Sequence, residues 1–233
     1  MSSLARRAIA EMIGTGFLVF FACGSIVMNV FDGAKYNLFG IAVIQAFVFS
    51  LAISMTMGVS GGHLNPAVTI GLLTIKKISP SDAFIYVASQ LVGALVGALL
   101  VRTILPSNVG HVIAYGTPVL HNSVTFTQAI AIEAVITFLL MSGVMGTIVA
   151  SNAPKIGGFG VGLTLIPSIM VAGVLTGAAA NPARAFGPAA ISGNFTAQAV
   201  WWIGPILGAV VAALLWHHVL LKEQPEERLV PEK

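Results

Sequence analysis

The chain has 233 residues, of which 57% are hydrophobic and only 8% are charged. Soluble domains carry about 25% charged residues, so the composition excludes an ordinary soluble globular domain. The formal net charge of +3 does not indicate a nucleic-acid partner, because the basic residues are scattered and form no stripe.

Long runs without Asp, Glu, Lys or Arg define the predicted elements. A membrane-crossing helix needs about 20 mostly apolar residues. The apolar run after Arg6 and Arg7 is expected to be a crossing and not a signal peptide, since Glu11 interrupts its start and no Ala-x-Ala site closes a short core. A loop is expected over 105–125. The sequence predicts an all-α membrane protein with six transmembrane helices at 8–30, 38–58, 82–104, 127–149, 159–175 and 197–220.

Two segments inside the long runs are near copies of each other. Residues 60–68 read Ser-Gly-Gly-His-Leu-Asn-Pro-Ala-Val, and residues 176–184 read Thr-Gly-Ala-Ala-Ala-Asn-Pro-Ala-Arg. Asn is a preferred helix N-cap and Pro is favoured at the first helical position. Each Asn-Pro-Ala therefore predicts a short helix, one over 66–75 and one within 176–192. Non-helical backbone at membrane depth is tolerated where it lines a watery cavity, so the pair indicates a substrate path.

The two copies belong to two halves of the chain. Glu11 lies near the start of the first crossing in the first half, and Glu133 lies at the matching point of the second half. Three crossings per half is an odd number, so the second half must be inverted relative to the first, with the special site at the midplane. We predict a single domain over 1–233, made of repeat one at about 8–104, repeat two at about 127–220, and a polar tail at 221–233.

The distribution of Lys and Arg predicts the orientation. With both termini in the cytoplasm, eight of these residues lie inside and two, Lys35 and Arg102, lie outside. Cytoplasmic loops carry the excess of basic residues in membrane proteins. We therefore expect both termini to lie in the cytoplasm. The expected location is the plasma membrane, with the vacuolar membrane as the alternative.

The paired Asn-Pro-Ala motifs, the second followed by Arg184, carry a family resemblance. From about residue 8 to 221 the chain resembles the aquaporins, the major intrinsic protein family of water and small-solute channels. The resemblance implies a homotetramer without a cofactor, and re-entrant half-helices whose motifs meet in the pore. It implies pore roles for Asn65, Pro66, Ala67, Asn181, Pro182 and Ala183, and path-lining carbonyls at Gly61, Gly62, His63, Gly177 and Ala179.

The resemblance also locates a selectivity filter. Counted from the two asparagines, its four positions fall on Gln45, Ile169, Ala178 and Arg184. This set is nearest to that of plant tonoplast intrinsic proteins, and it lacks the bulky Phe and the His of strict water filters. We therefore expect water and small neutral solutes to pass while protons and ions are excluded. The expected solutes are ammonia and hydrogen peroxide, with urea and glycerol as the larger candidates. A strict water-only channel is the alternative.

Several other polar residues leave two interpretations open. Glu11 and Glu133 are expected to accept hydrogen bonds from the re-entrant loops, with a proton relay as the alternative. His63 is expected to fix its loop, with a pH gate as the alternative. His111 and His121 are expected to be loop residues on the outer side, although either could reach the filter. Cys23 is expected to be a buried, inert thiol away from the path.

Other classes of function remain as competitors. A secondary transporter with broken helices would need alternating access and charged coupling sites, for which Glu11, Glu133 and Arg184 are the candidates. A membrane junction or scaffold protein would show no flux. No nucleophile–base pair, phosphate-binding loop or metal-binding cluster is visible, so we predict no enzyme and no metal.

Overall fold

The structure is a computed structural model that describes residues 3–221, and their regular structure is entirely helical. The first half contains a 3₁₀ turn, Ala114–Gly116, and five helices: α1 (Ser3–Val30), α2 (Asn37–Ser60), α3 (Pro66–Thr74), α4 (Pro80–Ile104) and α5 (Ser107–Val112). The second half contains α6 (Phe126–Val144), α7 (Gly157–Leu163), α8 (Leu165–Thr176), α9 (Pro182–Ser192) and α10 (Val200–Leu215). π-Helical turns at Met145–Val149 and Trp216–Leu220 extend α6 and α10.

Six of the described segments are long and apolar enough to cross a membrane. They correspond to α1, α2, α4, α6 with its π-helical turn, α7 joined to α8, and α10 with its π-helical turn, and they are 20 to 28 residues long. The prediction of an all-α membrane protein with six crossings and two half-helices is confirmed. The predicted tail, 221–233, lies outside the described residues except for Leu221.

The half-helices α3 and α9 begin directly after an asparagine that caps them. Pro66 and Pro182 are the first helical residues, where the missing N–H leaves no bond unmade. The side-chain oxygen of Asn65 accepts from the backbone N–H of Ala67 at 2.9 Å, and that of Asn181 accepts from Ala183 at 3.0 Å. The same local chemistry therefore starts both short helices inside the bundle.

The two halves interlock through their packing. Within each half the first and third crossings lie side by side, α1 along α4 and α6 along α10. Each half-helix packs against the third crossing of the opposite half, α3 on α10 and α9 on α4. This exchange places the N-termini of α3 and α9 next to each other in the interior.

Glycines permit the close approach within each half. A Cβ atom added at Gly93 would lie 2.1 Å from the carbonyl oxygen of Met12, and one at Gly208 would lie 2.1 Å from that of Ala134. These distances are far inside van der Waals contact, so no larger residue fits without moving a backbone. Small residues that let helix backbones approach are typical of membrane bundles.

Two details of the fold differ from the sequence prediction. The segment 105–125 was expected to be loop, yet it contains α5 and the 3₁₀ turn; six helical residues are too few to show a hydrophobic period. The fifth crossing is broken at Thr164, three residues before Pro167. Proline removes one helical N–H and its ring crowds the preceding turn, which accounts for the break.

We predict that Gly208→Ala destabilises the protein, because its Cβ atom would overlap the Ala134 carbonyl. Overpacking of this kind costs about 1–3 kcal/mol. Thermal aggregation followed by size-exclusion chromatography should show a lower midpoint. The matched control is Gly58→Ala, also within a crossing helix, where an added Cβ atom meets nothing within 4 Å; a Gly208→Ala midpoint no lower than that of the control would contradict the packing argument.

Candidate functional site

Three cavities lie along the centre of the helix bundle. The outer one has a volume of about 430 Å³ and the inner one about 220 Å³. Between them lies a constriction of about 10 Å³, close to the smallest volume that holds one water molecule. Gln45 and Arg184 line both the outer cavity and the constriction. The inner cavity reaches Val144, one helical turn from Leu140 in the constriction.

The sequence-predicted site residues are distributed over these cavities. Of the four filter positions, Ile169 lines the outer cavity and Ala178 the constriction, while Gln45 and Arg184 lie at their junction. Among the residues expected to provide carbonyls, Gly177 lines the outer cavity and Ala179 the constriction. The inner cavity is lined by Gly61, Gly62 and His63.

Asn65 and Asn181 face each other across the constriction and bond across the two halves. The amide Nδ2 of Asn65 donates to the Ala180 carbonyl at 2.8 Å, and that of Asn181 donates to the Leu64 carbonyl at 3.0 Å. Since an amide carries two donors, one from each asparagine is used in the cross-bond and one remains for the constriction.

Arg184 is almost fully buried, with 3% of its surface exposed. Its Nη1 donates to the Gly116 carbonyl at 3.0 Å, so the 3₁₀ turn that sequence reasoning missed holds the guanidinium. Its Nε is buried without a hydrogen-bond partner among residues 3–221. The arrangement fixes a positive charge at the junction of the outer cavity and the constriction.

The carboxylate of Glu11 supports the first re-entrant loop. It accepts from the backbone N–H groups of His63 at 3.0 Å and Leu64 at 2.7 Å. It also accepts from the Ser60 hydroxyl at 2.6 Å and the Gln90 amide at 2.8 Å. Glu11 has no exposed surface, and these four donors replace the water that a buried carboxylate lacks.

Glu133 repeats this arrangement in the second half. Its carboxylate accepts from the backbone N–H groups of Ala179 at 3.1 Å and Ala180 at 2.8 Å, and from the Thr176 hydroxyl at 2.7 Å. The indole of Trp201 donates to the Thr176 carbonyl at 2.9 Å. The two carboxylates therefore bind equivalent groups. Each accepts from the hydroxyl at the end of a crossing, Ser60 or Thr176, and from two consecutive backbone N–H groups of its re-entrant loop.

The loops need this support because their backbone is strained. Leu64, Ala178 and Ala180 have positive φ angles of 50°, 45° and 48°. Left-handed conformation costs a non-glycine residue about 1–2 kcal/mol. Two of the three, Leu64 and Ala180, donate directly to a glutamate, so the strain occurs where the hydrogen bonding is strongest.

Four apolar residues of the constriction were missed by sequence reasoning: Leu18, Phe49, Leu140 and Leu165. They form two symmetric pairs. Leu18 and Leu140 each lie seven residues after the glutamate of their half, and Phe49 and Leu165 each lie sixteen residues before its asparagine. Offsets within the repeat could have identified them, since residues seven apart share a helix face.

Cys23 lies behind the pathway and contacts one residue that lines it, Arg184. Its side chain lines none of the three cavities, but its sulfur lies 3.8 Å from Nη1 of Arg184. Cys23 is fully buried behind the guanidinium. A Cβ atom at Gly116 would lie 3.0 Å from the Cys23 Cα, so α1 and the 3₁₀ turn are in close contact at this point.

The histidines occupy different surroundings. His63 lines the inner cavity, and its Nδ1 lies 3.1 Å from the Thr69 hydroxyl. His121 lines the outer cavity and contacts the Ser123 hydroxyl at 2.8 Å, whereas His111 is exposed and lines none of the three cavities. Among residues 3–221 there is no group of three or more His, Cys, Asp or Glu side chains that could hold a metal ion.

Comparison with known proteins identifies what the chain is similar to. The family model described as "Major intrinsic protein" matches residues 1–216. A relative from Arabidopsis thaliana named "Probable aquaporin NIP4-2" is 34% identical over 97% of this chain and 78% of its own length. A relative from Oryza sativa subsp. japonica named "Probable aquaporin TIP3-2" is 37% identical over 95% of this chain and 83% of its own.

The fold is shared with a solved structure. An X-ray structure of the aquaglyceroporin from Plasmodium falciparum superimposes with a TM-score of 0.83 and covers 93% of this chain and 97% of that chain, at 24% identity. This likeness concerns the fold. The relatives carry names from more than one plant subgroup, so they leave the type of filter undecided.

We predict that Glu133→Gln lowers stability and water flux together. Glutamine keeps the shape but has a single acceptor oxygen, so at least one buried donor of the loop loses its partner, at about 1–3 kcal/mol. Thermal unfolding and water permeability in proteoliposomes measure both effects. The control is Thr137→Val, because this buried hydroxyl donates only to the Glu133 carbonyl of its own helix. A Glu133→Gln protein with unchanged stability and water flux, altered only in proton movement, would support the relay instead.

Proposed function

The chain belongs to the major intrinsic protein family of membrane channels, whose members catalyse no reaction, and on that premise we propose that it conducts water in single file. The observation that carries this proposal is the one-water constriction between two larger cavities, with Asn65 and Asn181 at its wall. Two open cavities that meet at such a constriction are suited to a passive channel for water and the smallest neutral solutes.

The mechanism follows from the donors at the constriction. A water molecule there accepts from the remaining N–H of Asn65 and of Asn181, which turns its own hydrogens away from the centre. The N-termini of α3 and α9 meet at the same place, and each adds about half a positive elementary charge. Positive potential and fixed donors disrupt a proton-conducting chain of waters and repel cations.

Arg184 acts in this proposal as the charge of the selectivity filter, with Gln45, Ile169 and Ala178 as the other members. Its guanidinium is held by Gly116 and faces the passage at the junction of two cavities. A full positive charge in a narrow, weakly hydrated passage opposes cations strongly, since charge interactions gain strength as the effective dielectric falls. Neutral molecules experience no such barrier.

The loop glutamates act as structural acceptors. Each carboxylate already receives three or four hydrogen bonds from its own loop and neighbours. These bonds hold the chain of carbonyls from Gly61 to His63, and that of Gly177 and Ala179, along the pathway. Proton relay would require a carboxylate with an open face, and neither side chain has exposed surface.

The solute range follows from the filter and from an apolar ring, the four residues Leu18, Phe49, Leu140 and Leu165 that line the constriction. In this proposal Gln45, Ile169 and Ala178 form a set of the tonoplast-intrinsic-protein type, in keeping with the resemblance of the sequence. The set offers few fixed donors and no bulky aromatic, which favours ammonia and hydrogen peroxide beside water. Phe49 and the leucines of the constriction restrict urea and glycerol. That same narrow ring favours a strict water channel as the second candidate.

The proposed channel has both termini in the cytoplasm, in agreement with the excess of basic residues on that side. The plasma membrane and a homotetramer are proposed on the resemblance to the family. A secondary transporter is disfavoured, because helices packed backbone to backbone at Gly93 and Gly208 resist the rocking that alternating access requires.

We predict that proteoliposomes containing the protein conduct water with linear, osmotically driven flux and pass ammonia or hydrogen peroxide above the lipid background. The double variant Gln45→Phe with Ile169→His should keep water flux and lose the other solutes, because both new side chains enter the filter. Stopped-flow light scattering and a peroxide-sensitive dye measure these fluxes. The control is Leu51→Phe, which faces lipid on α2.

Two results would decide against parts of this proposal. Water flux without any of ammonia, peroxide, urea or glycerol would establish the strict water channel. Saturable, ion-dependent flux would establish a transporter.

We predict that Arg184→Val increases proton or sodium leak while water flux continues, because the filter loses its full charge. Ion-selective dyes inside proteoliposomes measure the leak. The control is Arg102→Val, an arginine at the end of α4 that lines none of the three cavities. Equal leaks in the two variants, with both proteins folded, would disprove the filter role of Arg184.

A further inference from the structure

A separate groove lies on the outside of the helix bundle, between α1 and α4. Its volume is about 400 Å³, within the range of small-ligand sites. Almost all of its lining surface is apolar, and Phe17, Phe21, Val96 and Leu100 contribute to it. It shares no lining residue with the three cavities of the pathway. A polar ligand would find no partner there.

Close helix packing creates the groove. Gly16, Gly93 and Gly97 lie along the contact between α1 and α4, and a Cβ atom at Gly97 would lie 2.4 Å from the Gly16 carbonyl. Because these three residues have no side chains, the line of contact between α1 and α4 forms the floor of a groove, and the large side chains on either side form its walls. Phe17, Phe21 and Val96 are close to half exposed, so the trough opens toward the hydrocarbon of a membrane.

An arginine without an ion-pair partner among residues 3–221, Arg6, lies on α1 beyond one end of this groove. Arg6 is exposed, and no hydrogen bond or ion pair of its side chain is found within residues 3–221. Its neighbour Arg7 is already engaged with Asp82 at 2.9 Å. Arg6 precedes the groove residue Ile13 by seven positions, two helical turns, so both lie on one face about 10 Å apart along the axis.

We propose that the groove binds one acyl chain of an anionic phospholipid from the leaflet on the N-terminal side, with the lipid phosphate paired to Arg6. The apolar trough takes the chain, and the axial distance from Arg6 to Ile13 leaves space for the glycerol backbone. Basic side chains at a membrane surface attract anionic headgroups. The site goes beyond channel function, and its occupancy does not depend on the pathway.

Native mass spectrometry tests the proposal with an equal mixture of phosphatidylglycerol and phosphatidylcholine that carry the same acyl chains. The wild type should retain phosphatidylglycerol in preference. Arg6→Gln should lower that preference about fivefold, the effect of roughly one basic residue at an anionic surface. Val96→Trp, which fills the trough from its lipid face, should lower the retention of both lipids.

Two measurements keep the experiment decisive. Lys35→Gln removes the same charge from an exposed loop at the opposite end of α1 and should leave the preference unchanged. Water flux should be normal in all three variants, which shows that each is folded. The proposal is overturned if Arg6→Gln matches the wild type, if Lys35→Gln has an equal effect, or if Val96→Trp retains lipid normally. It is also overturned if Val96→Trp dissociates an oligomer without lipid loss, because the groove would then be an interface between copies.

Discussion

Every buried backbone N–H of the two re-entrant loops must find an acceptor inside the protein, and this constraint shapes the site. Hydrocarbon supplies no hydrogen bonds, and an unpaired group there costs several kcal/mol. Glu11 and Glu133 meet the need with carboxylates, which accept from several donors at once. Their position lets Leu64 and Ala180 hold left-handed conformations that a loop in water would abandon. The paired half-helices can therefore begin at the middle of the bundle.

Much of the fold was predictable because its signals are local. Charge-free runs marked the crossings, and Asn-Pro-Ala marked both half-helices, since cap and first residue are adjacent in sequence. The break at Thr164 and the helix α5 were not predicted. The first could have been inferred from Pro167. Helix α5 depends on its contacts with α1 and on the packing of the Tyr115 ring against Gly110. No short window of sequence contains the contacts with α1.

The site was predictable where a motif or a repeat offset marked it. Arg184 and the two asparagines stand in the motifs themselves, and the resemblance to the family, counted from those motifs, pointed to Gln45 and Ile169. The carbonyl of Gly116 that holds Arg184, and the sulfur of Cys23 behind it, come from segments far away in sequence. Such partners depend on how the 3₁₀ turn lies on α1. The bonds that use one N–H of each asparagine amide could not be predicted for the same reason, because their acceptors lie in the opposite half of the chain.

The crossed hydrogen bonds from Asn65 to Ala180 and from Asn181 to Leu64 have a consequence for biosynthesis. The first re-entrant loop leaves the ribosome more than a hundred residues before its partner. Until then, the Asn65 amide and the Leu64 carbonyl lack their final partners, and α3 lacks α10, against which it packs. The first half therefore enters the membrane with its loop unfinished. The residues that line the central constriction extend from Leu18 to Arg184, so a chain that ends before the second re-entrant loop lacks one wall of it.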